Sequence, residues 1–199
     1  MINVSPIKLS GNWSEGFALD LHTLSSEFLG YDEFGHEVFD TKRSGIGELL
    51  YRLKYKSDKS SLKEILEVTV NFLSNEWKIS RILDGILPIP PSRSRVLQPV
   101  IEVARGISPM LQVPLYEVFL IKIKETPELK NVYDYQKRLE LLKDVFVTKN
   151  LSLKGKNVLL FDDLYRSGAT FNAVTRVLYE KGVVNKVYVL ALTKTRGKS

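Results

Sequence analysis

The chain has 199 residues, 44% hydrophobic and 26% charged, with no cysteine and a net charge of +6. Its length is in the range of one domain and its apolar fraction fills a core, so disorder throughout is excluded. Lack of cysteine excludes disulfides, thiolate metal sites, thiol nucleophiles and iron–sulfur clusters, and a reducing, cytoplasmic setting is expected. The basic balance suits a polyanion, either nucleic acid or a phosphorylated small molecule, and no run reaches the ~18 apolar residues of a membrane span.

Residues 1–43 begin without the basic-then-apolar order of a secretion signal. They scatter aromatics (Trp13, Phe17, Phe28, Tyr31, Phe34, Phe39) among glycines with no clean period, and read as short strands and turns capping a larger domain over 44–199. His22 and His36 lack the neighbours of a metal site. Asp20, Leu21, His22 and Thr23 read as surface residues, with the lining of an acceptor pocket as the sharper alternative. Trp13, Phe17 and Trp77 read as packing, without the basic–aromatic interleave of a nucleic-acid platform.

Ile46, Leu49, Leu50 and Leu53 fall on one helix face, and Leu62, Ile65, Leu66, Val70 and Leu73 repeat the pattern after Ser60 and Ser61, an N-cap signal. From about residue 84 strands and helices alternate. Ile86–Ile89 is a short apolar run ended by prolines, followed by a helix marked by Leu97, Val100, Ile101, Ala104 and Ile107. Val113–Lys124 gives a strand or two, and 125–140 is charged with little to bury. Val158–Phe161 reads as a central parallel strand covered on both faces. Phe171, Val174 and Leu178 mark a helix stopping at Gly182, and Val187–Leu192 is a second buried strand. The order predicts an α/β fold with a mainly parallel sheet flanked by helices.

Chemistry concentrates where the strand Val158–Phe161 meets Asp162 and Asp163, then Leu164, Tyr165, Arg166, Ser167, Gly168, Ala169 and Thr170. Ligands of open α/β sheets sit beyond the carboxyl ends of the strands. Small residues opening a helix let a phosphate approach unpaired N–H groups at the positive end of the dipole. Adjacent carboxylates can accept hydrogen bonds from a vicinal diol or help hold a cation. Diol on one side and phosphate on the other describe a ribose 5-phosphate. The plain alternative is an Asp-rich turn in which Ser167 merely caps the helix.

The stretch 158–170 resembles the diphosphate-sugar signature of type I phosphoribosyltransferases, which bind 5-phosphoribosyl 1-diphosphate (PRPP). Tyr165 and Arg166 depart from its commonest form, and the Tyr–x–Ser–Gly–Ala–Thr variant is similar to the ComF-like branch. Gly47–Lys56 resembles the Leu-Lys-Tyr helix of that branch, Ile86–Arg95 its first strand and diphosphate loop, and Gln136–Phe146 its Arg-containing segment. ComF-like proteins usually begin with a four-cysteine zinc ribbon, which this chain lacks, so residues 1–43 form some other, hood-like element.

The resemblance implies roles. Asp162 and Asp163 would hold the ribose hydroxyls as the catalytic acids, and Tyr165 through Thr170 would cradle the 5-phosphate. Ser92, Arg93 and Arg95 would grip the diphosphate, and Lys137 and Arg138 would reach it from a flexible loop. Mg²⁺ would be carried by PRPP, with Asp162 and Asp163 as its only protein contacts, and no residue is a dedicated metal ligand. The expected reaction transfers phosphoribosyl to or from a nitrogenous acceptor, with diphosphate as co-product. The competing expectation is a catalytically silent PRPP- or nucleotide-sensing module working with a DNA-processing partner. A homodimer is compatible with either, and no membrane partner is expected.

Overall fold

The computed structural model describes residues 2–91, 98–126, 132 and 134–196. Strands β1 (Ile7–Lys8) and β2 (Glu15–Leu21) come first, then a hairpin of β3 (Thr23–Tyr31) and β4 (Glu37–Arg43). Helices α1 (Gly45–Tyr55) and α2 (Ser60–Asn71) lead to β5 (Gly85–Pro88) and α3 (Pro99–Leu111). There follow β6 (Leu120–Lys122), α4 (Tyr135–Leu141) and β7 (Phe146–Thr148). Last come β8 (Asn157–Tyr165), α5 (Ala169–Glu180) and β9 (Lys186–Lys194).

The main sheet is ordered β1-β2-β9-β8-β5, with every pairing parallel except the antiparallel edge β1. The expected α/β architecture is met. Strand alternation divides the core in two. Leu159, Phe161, Leu190 and Leu192 face α1, α2 and α3, where Ile46, Leu50, Ile65 and Ile107 are buried. Val158, Leu160, Val189 and Ala191 face the opposite layer, where Phe171, Val174 and Leu178 of α5 pack with Leu120 and Phe146. Both faces are covered, which is why the two central strands are apolar without a break.

The segment 1–43 does not act as a single cap. Its β2 lies inside the main sheet, in parallel register with β9 from Glu15↔Tyr188 to Leu21↔Lys194. Small residues admit it: a Cβ on Gly16 would come within 2.7 Å of the Trp13 indole, whose ring packs edge-on against Phe171. β3 and β4 form a two-stranded sheet of their own, whereas β1 and β2, also ahead of residue 43, belong to the main sheet.

Three local expectations change. The N-cap of α2 is Lys59, without a capping side chain, rather than Ser60 or Ser61, and the Asp58 carboxylate just before it accepts from Ser60 N at 2.9 Å. The left-handed residue after α5 is Val183 (φ 52°), not Gly182. The charged stretch expected as a flexible loop contains α4, capped by Asp134, whose Oδ1 accepts from Lys137 N at 2.6 Å. No helix among the described residues is long and apolar enough to cross a membrane.

Candidate functional site

Strand β8 outruns its neighbour. Its pairing with β5 ends at Pro88↔Phe161, while its pairing with β9 continues to Tyr165↔Lys194. Asp162 and Asp163 therefore lie within the overhang, at the carboxyl edge of the parallel sheet. The period of two sends adjacent side chains to opposite faces, and the contacts follow that split. Asp162 lines a cavity of about 80 Å³ on the α5 side, together with Tyr165–Phe171, Leu164 and Arg138. Asp163 meets α1 instead: Lys54 Nζ donates to its Oδ2 at 2.7 Å, with both side chains largely buried. The two acids expected to act together on one diol have different surroundings.

Those surroundings set their chemistry. Burial, and then the neighbouring Asp163 charge, push the Asp162 carboxyl up to about 8, although the Asp163 N–H it accepts at 2.8 Å favours the anion. Burial and the Asp163 charge both favour the protonated carboxyl, the form that can donate as well as accept. Behind Asp163 runs a further chain of hydrogen bonds. Thr193 Oγ1 donates to the Asp163 carbonyl at 3.0 Å and stands 3.2 Å from His22 Nδ1. The single hydroxyl proton of Thr193 is thus committed, so His22 Nδ1 is the donor in that pair. Burial, then Arg43 and Lys54, lower the His22 pKa and keep the ring neutral.

On the other side of the cavity the chain turns into α5. Gly168 has φ +79°, and a Cβ there would stand 2.6 Å from the Tyr165 hydroxyl. Glycine lets the turn close beneath the Tyr165 ring, which stacks on Phe171 at 6.0 Å. Asn172 N donates back to Gly168 O at 2.8 Å, so the N–H groups of Ala169, Thr170 and Phe171 precede the helix ladder and face outward. Arg138 is buried and its Nη1 donates to Ser167 Oγ at 2.7 Å. Burial, then the charge of Arg166, lower its pKa, which marks two guanidiniums close enough to repel. Unpaired amides, two hydroxyls and two cations around one small cavity form an anion site.

Arg138, expected on a flexible loop, thus stands on α4 at the turn opening α5, and Lys137 is an exposed side chain on the same helix. Ser92, Arg93 and Arg95 lie outside the described residues. Among the described residues no group of three His, Asp or Glu could cage a metal ion. Lys54 and Thr193 were not singled out as site residues from sequence, and His22 entered only within the Asp20–Thr23 stretch, as the alternative acceptor-pocket lining. Lys54 did carry a signal, since it follows Leu53 and stands one turn beyond Leu50 on the buried stripe of α1.

No family model matches the chain. It is similar to Competence protein ComFC of Bacillus subtilis, 28% identical over 149 residues that make up 74% of this chain and 59% of that protein. The chain spans less than two thirds of that relative. This similarity agrees with the ComF-like resemblance read from the sequence. Among solved structures it is similar to adenine phosphoribosyltransferase from Saccharomyces cerevisiae, with TM-score 0.47, 13% identity, and 85% of each chain covered. Adenine phosphoribosyltransferase from Trypanosoma brucei also gives 0.47, at 14% identity, over 95% of this chain and 75% of that one.

Proposed function

We propose that the chain binds PRPP at the carboxyl edge of its sheet and transfers the phosphoribosyl group to or from a nitrogenous acceptor. One observation carries the reading: a single cavity has Asp162 on one wall and the amide-rich start of α5, with Arg138 and Arg166, on the other. That spacing suits a sugar whose hydroxyls meet an acid while its 5-phosphate meets N–H groups and guanidiniums.

In the forward direction the bond from the anomeric carbon to the diphosphate oxygen breaks, a bond to the acceptor nitrogen forms, and that nitrogen loses a proton. The protein supplies position and charge rather than a covalent nucleophile. Arg138 and Arg166 neutralise the 5-phosphate. Protonated Asp162 donates to one ribose hydroxyl and accepts from the next. Ser92, Arg93 and Arg95 take the diphosphate in this reading, where arginine forks match its oxygens as charge builds on the leaving group. Mg²⁺ would be borne by the diphosphate and water, with Asp162 and Asp163 the protein acids on that side, and would offset diphosphate charge.

Calorimetry with PRPP and Mg²⁺ tests binding: the native chain should bind and Asp162→Ala should lose at least tenfold in affinity. Equal affinity in the two proteins would refute the site. A second reading, a silent sensor working in a DNA-handling setting, draws support from Lys54. An acid already paired with a lysine is less available to a sugar, and the relative is a competence protein. Binding without diphosphate release against a panel of bases, glutamine and ammonia would favour it.

A further inference from the structure

Beyond its base at Arg43 the hairpin of β3 and β4 contributes none of the site residues described above, and its composition is unlike the rest of the chain. Residues 24–41 hold Glu27, Asp32, Glu33, Glu37 and Asp40 and no lysine or arginine. The whole chain is +6, so these five carboxylates leave +11 on the remainder. The hairpin is also its most apolar exposed part. Phe28 and Phe39 face each other across the strands with centroids 5.5 Å apart, and Tyr31 joins Phe28 at 5.3 Å. They are 51%, 46% and 68% exposed, and Phe34 at the turn is 76% exposed.

Among the described residues, the side-chain contacts that tie this hairpin to the rest of the fold lie at its base. Arg43 lies over the Tyr51 ring at 3.8 Å and donates to Glu48, and Arg196 donates to the Leu24 carbonyl. Beyond the base the ribbon is a two-stranded sheet in water, an arrangement that is marginal unless something covers it. An aromatic face of this size on a monomer marks an interaction surface. The carboxylates decide what it meets. Nucleic acid and anionic lipid carry the wrong sign, and two hairpins laid aromatic face to aromatic face would set against each other the two copies of Glu37, which stands opposite Tyr31 on that face. A basic protein surface has the matching charge, and the body of this chain is one.

Size points to a reciprocal arrangement. The aromatic face and the turn offer about 400 Å² of exposed apolar surface. One hairpin on one body would bury only about 800 Å², at the level of incidental contacts, whereas two hairpins exchanged across a two-fold axis reach about 1,600 Å², that of a stable complex. We propose that the β3–β4 hairpin is an exchange arm: in a dimer of this chain, each hairpin lies aromatic face down on the basic body of the other copy.

Sedimentation velocity on the full chain across micromolar concentrations tests the proposal at low and high ionic strength. A dimer is expected at low salt, dissociating as salt rises because opposite charges meet across the interface. Phe28→Ser with Phe39→Ser should weaken it at least tenfold, and Glu33→Lys with Glu37→Lys should do the same. All four positions are exposed, and circular dichroism checks that the body of the fold is kept. A chain monomeric under every condition overturns the proposal. So does a dimer indifferent to both double variants, and so does one that charge reversal strengthens, which would mean that hairpins pair with each other.

Discussion

Lys54 Nζ and Asp163 Oδ2 stand 2.7 Å apart and tie helix α1 to the end of β8. The pair is 18% and 14% exposed, so neither charge is well hydrated once its partner is removed. Lys54→Met should cost about 3 kcal/mol of stability, since a largely buried carboxylate loses its counter-charge. Adding Asp163→Asn should recover much of that loss. A double-mutant cycle by chemical denaturation measures the coupling, and additive effects would show that the contact contributes nothing.

Asp162 makes stability depend on pH in an unusual direction. Folded, its carboxyl is pushed up to about 8, against 3.8 for the ordinary group. Between those values the folded chain holds a proton that the unfolded chain has released, so stability falls as pH rises through that window. Asp162→Asn, which needs no proton there, should flatten the slope and be the more stable protein at pH 8 by ~1–3 kcal/mol. Thermal melts of both proteins from pH 5 to about 8 check the sign.

Gly168 serves the turn twice, by its left-handed backbone and by leaving room for Tyr165. Gly168→Ala should cost ~1–2 kcal/mol for the backbone alone, with loss of PRPP binding. Tyr165→Phe, which removes the nearest atom, should restore part of the stability in the double variant. If Gly168→Ala melts like the native chain, the turn is not held as described.

Arg138 reaches Ser167 from another element, so its removal should affect the anion site without unfolding the domain. Arg138→Gln should lower affinity for PRPP at least tenfold and reduce the dependence of binding on salt. Titrations at two ionic strengths separate this from a purely structural effect.

Val183 carries a β-branched side chain at φ 52° and is 44% exposed. Val183→Gly should stabilise the chain by ~1 kcal/mol, because glycine adopts that backbone without the steric penalty. An unchanged or lower melting temperature would count against it.

The anion turn and the buried strands were readable in the sequence because each is local. A continuous apolar run, two acids and a set of small residues before a helix occupy thirteen consecutive positions, 158–170. The separation of Asp162 from Asp163 follows from alternation along β8, yet it becomes visible only once the strand is known to continue past Phe161. Lys54 and His22 lie 109 and 171 residues from Asp163 and Thr193, their respective partners, and no spacing within one segment points to such contacts. The place of β2 in the main sheet was hidden for the same reason. Its pattern is short and interrupted by Gly16, and its pairing with β9 is set by packing at the far end of the chain.

One connection has a mechanical consequence. Strand β4 ends at Arg43 and α1 starts at Gly45, with Ser44 donating to the Leu21 carbonyl and accepting from Gly47 N. A Cβ on Gly47 would come within 2.3 Å of the His22 carbonyl, so the helix is seated against the end of β2 with no slack. Two turns further along that same helix is Lys54. One unbroken helix therefore spans from the foot of the hairpin to the ammonium that pairs with Asp163.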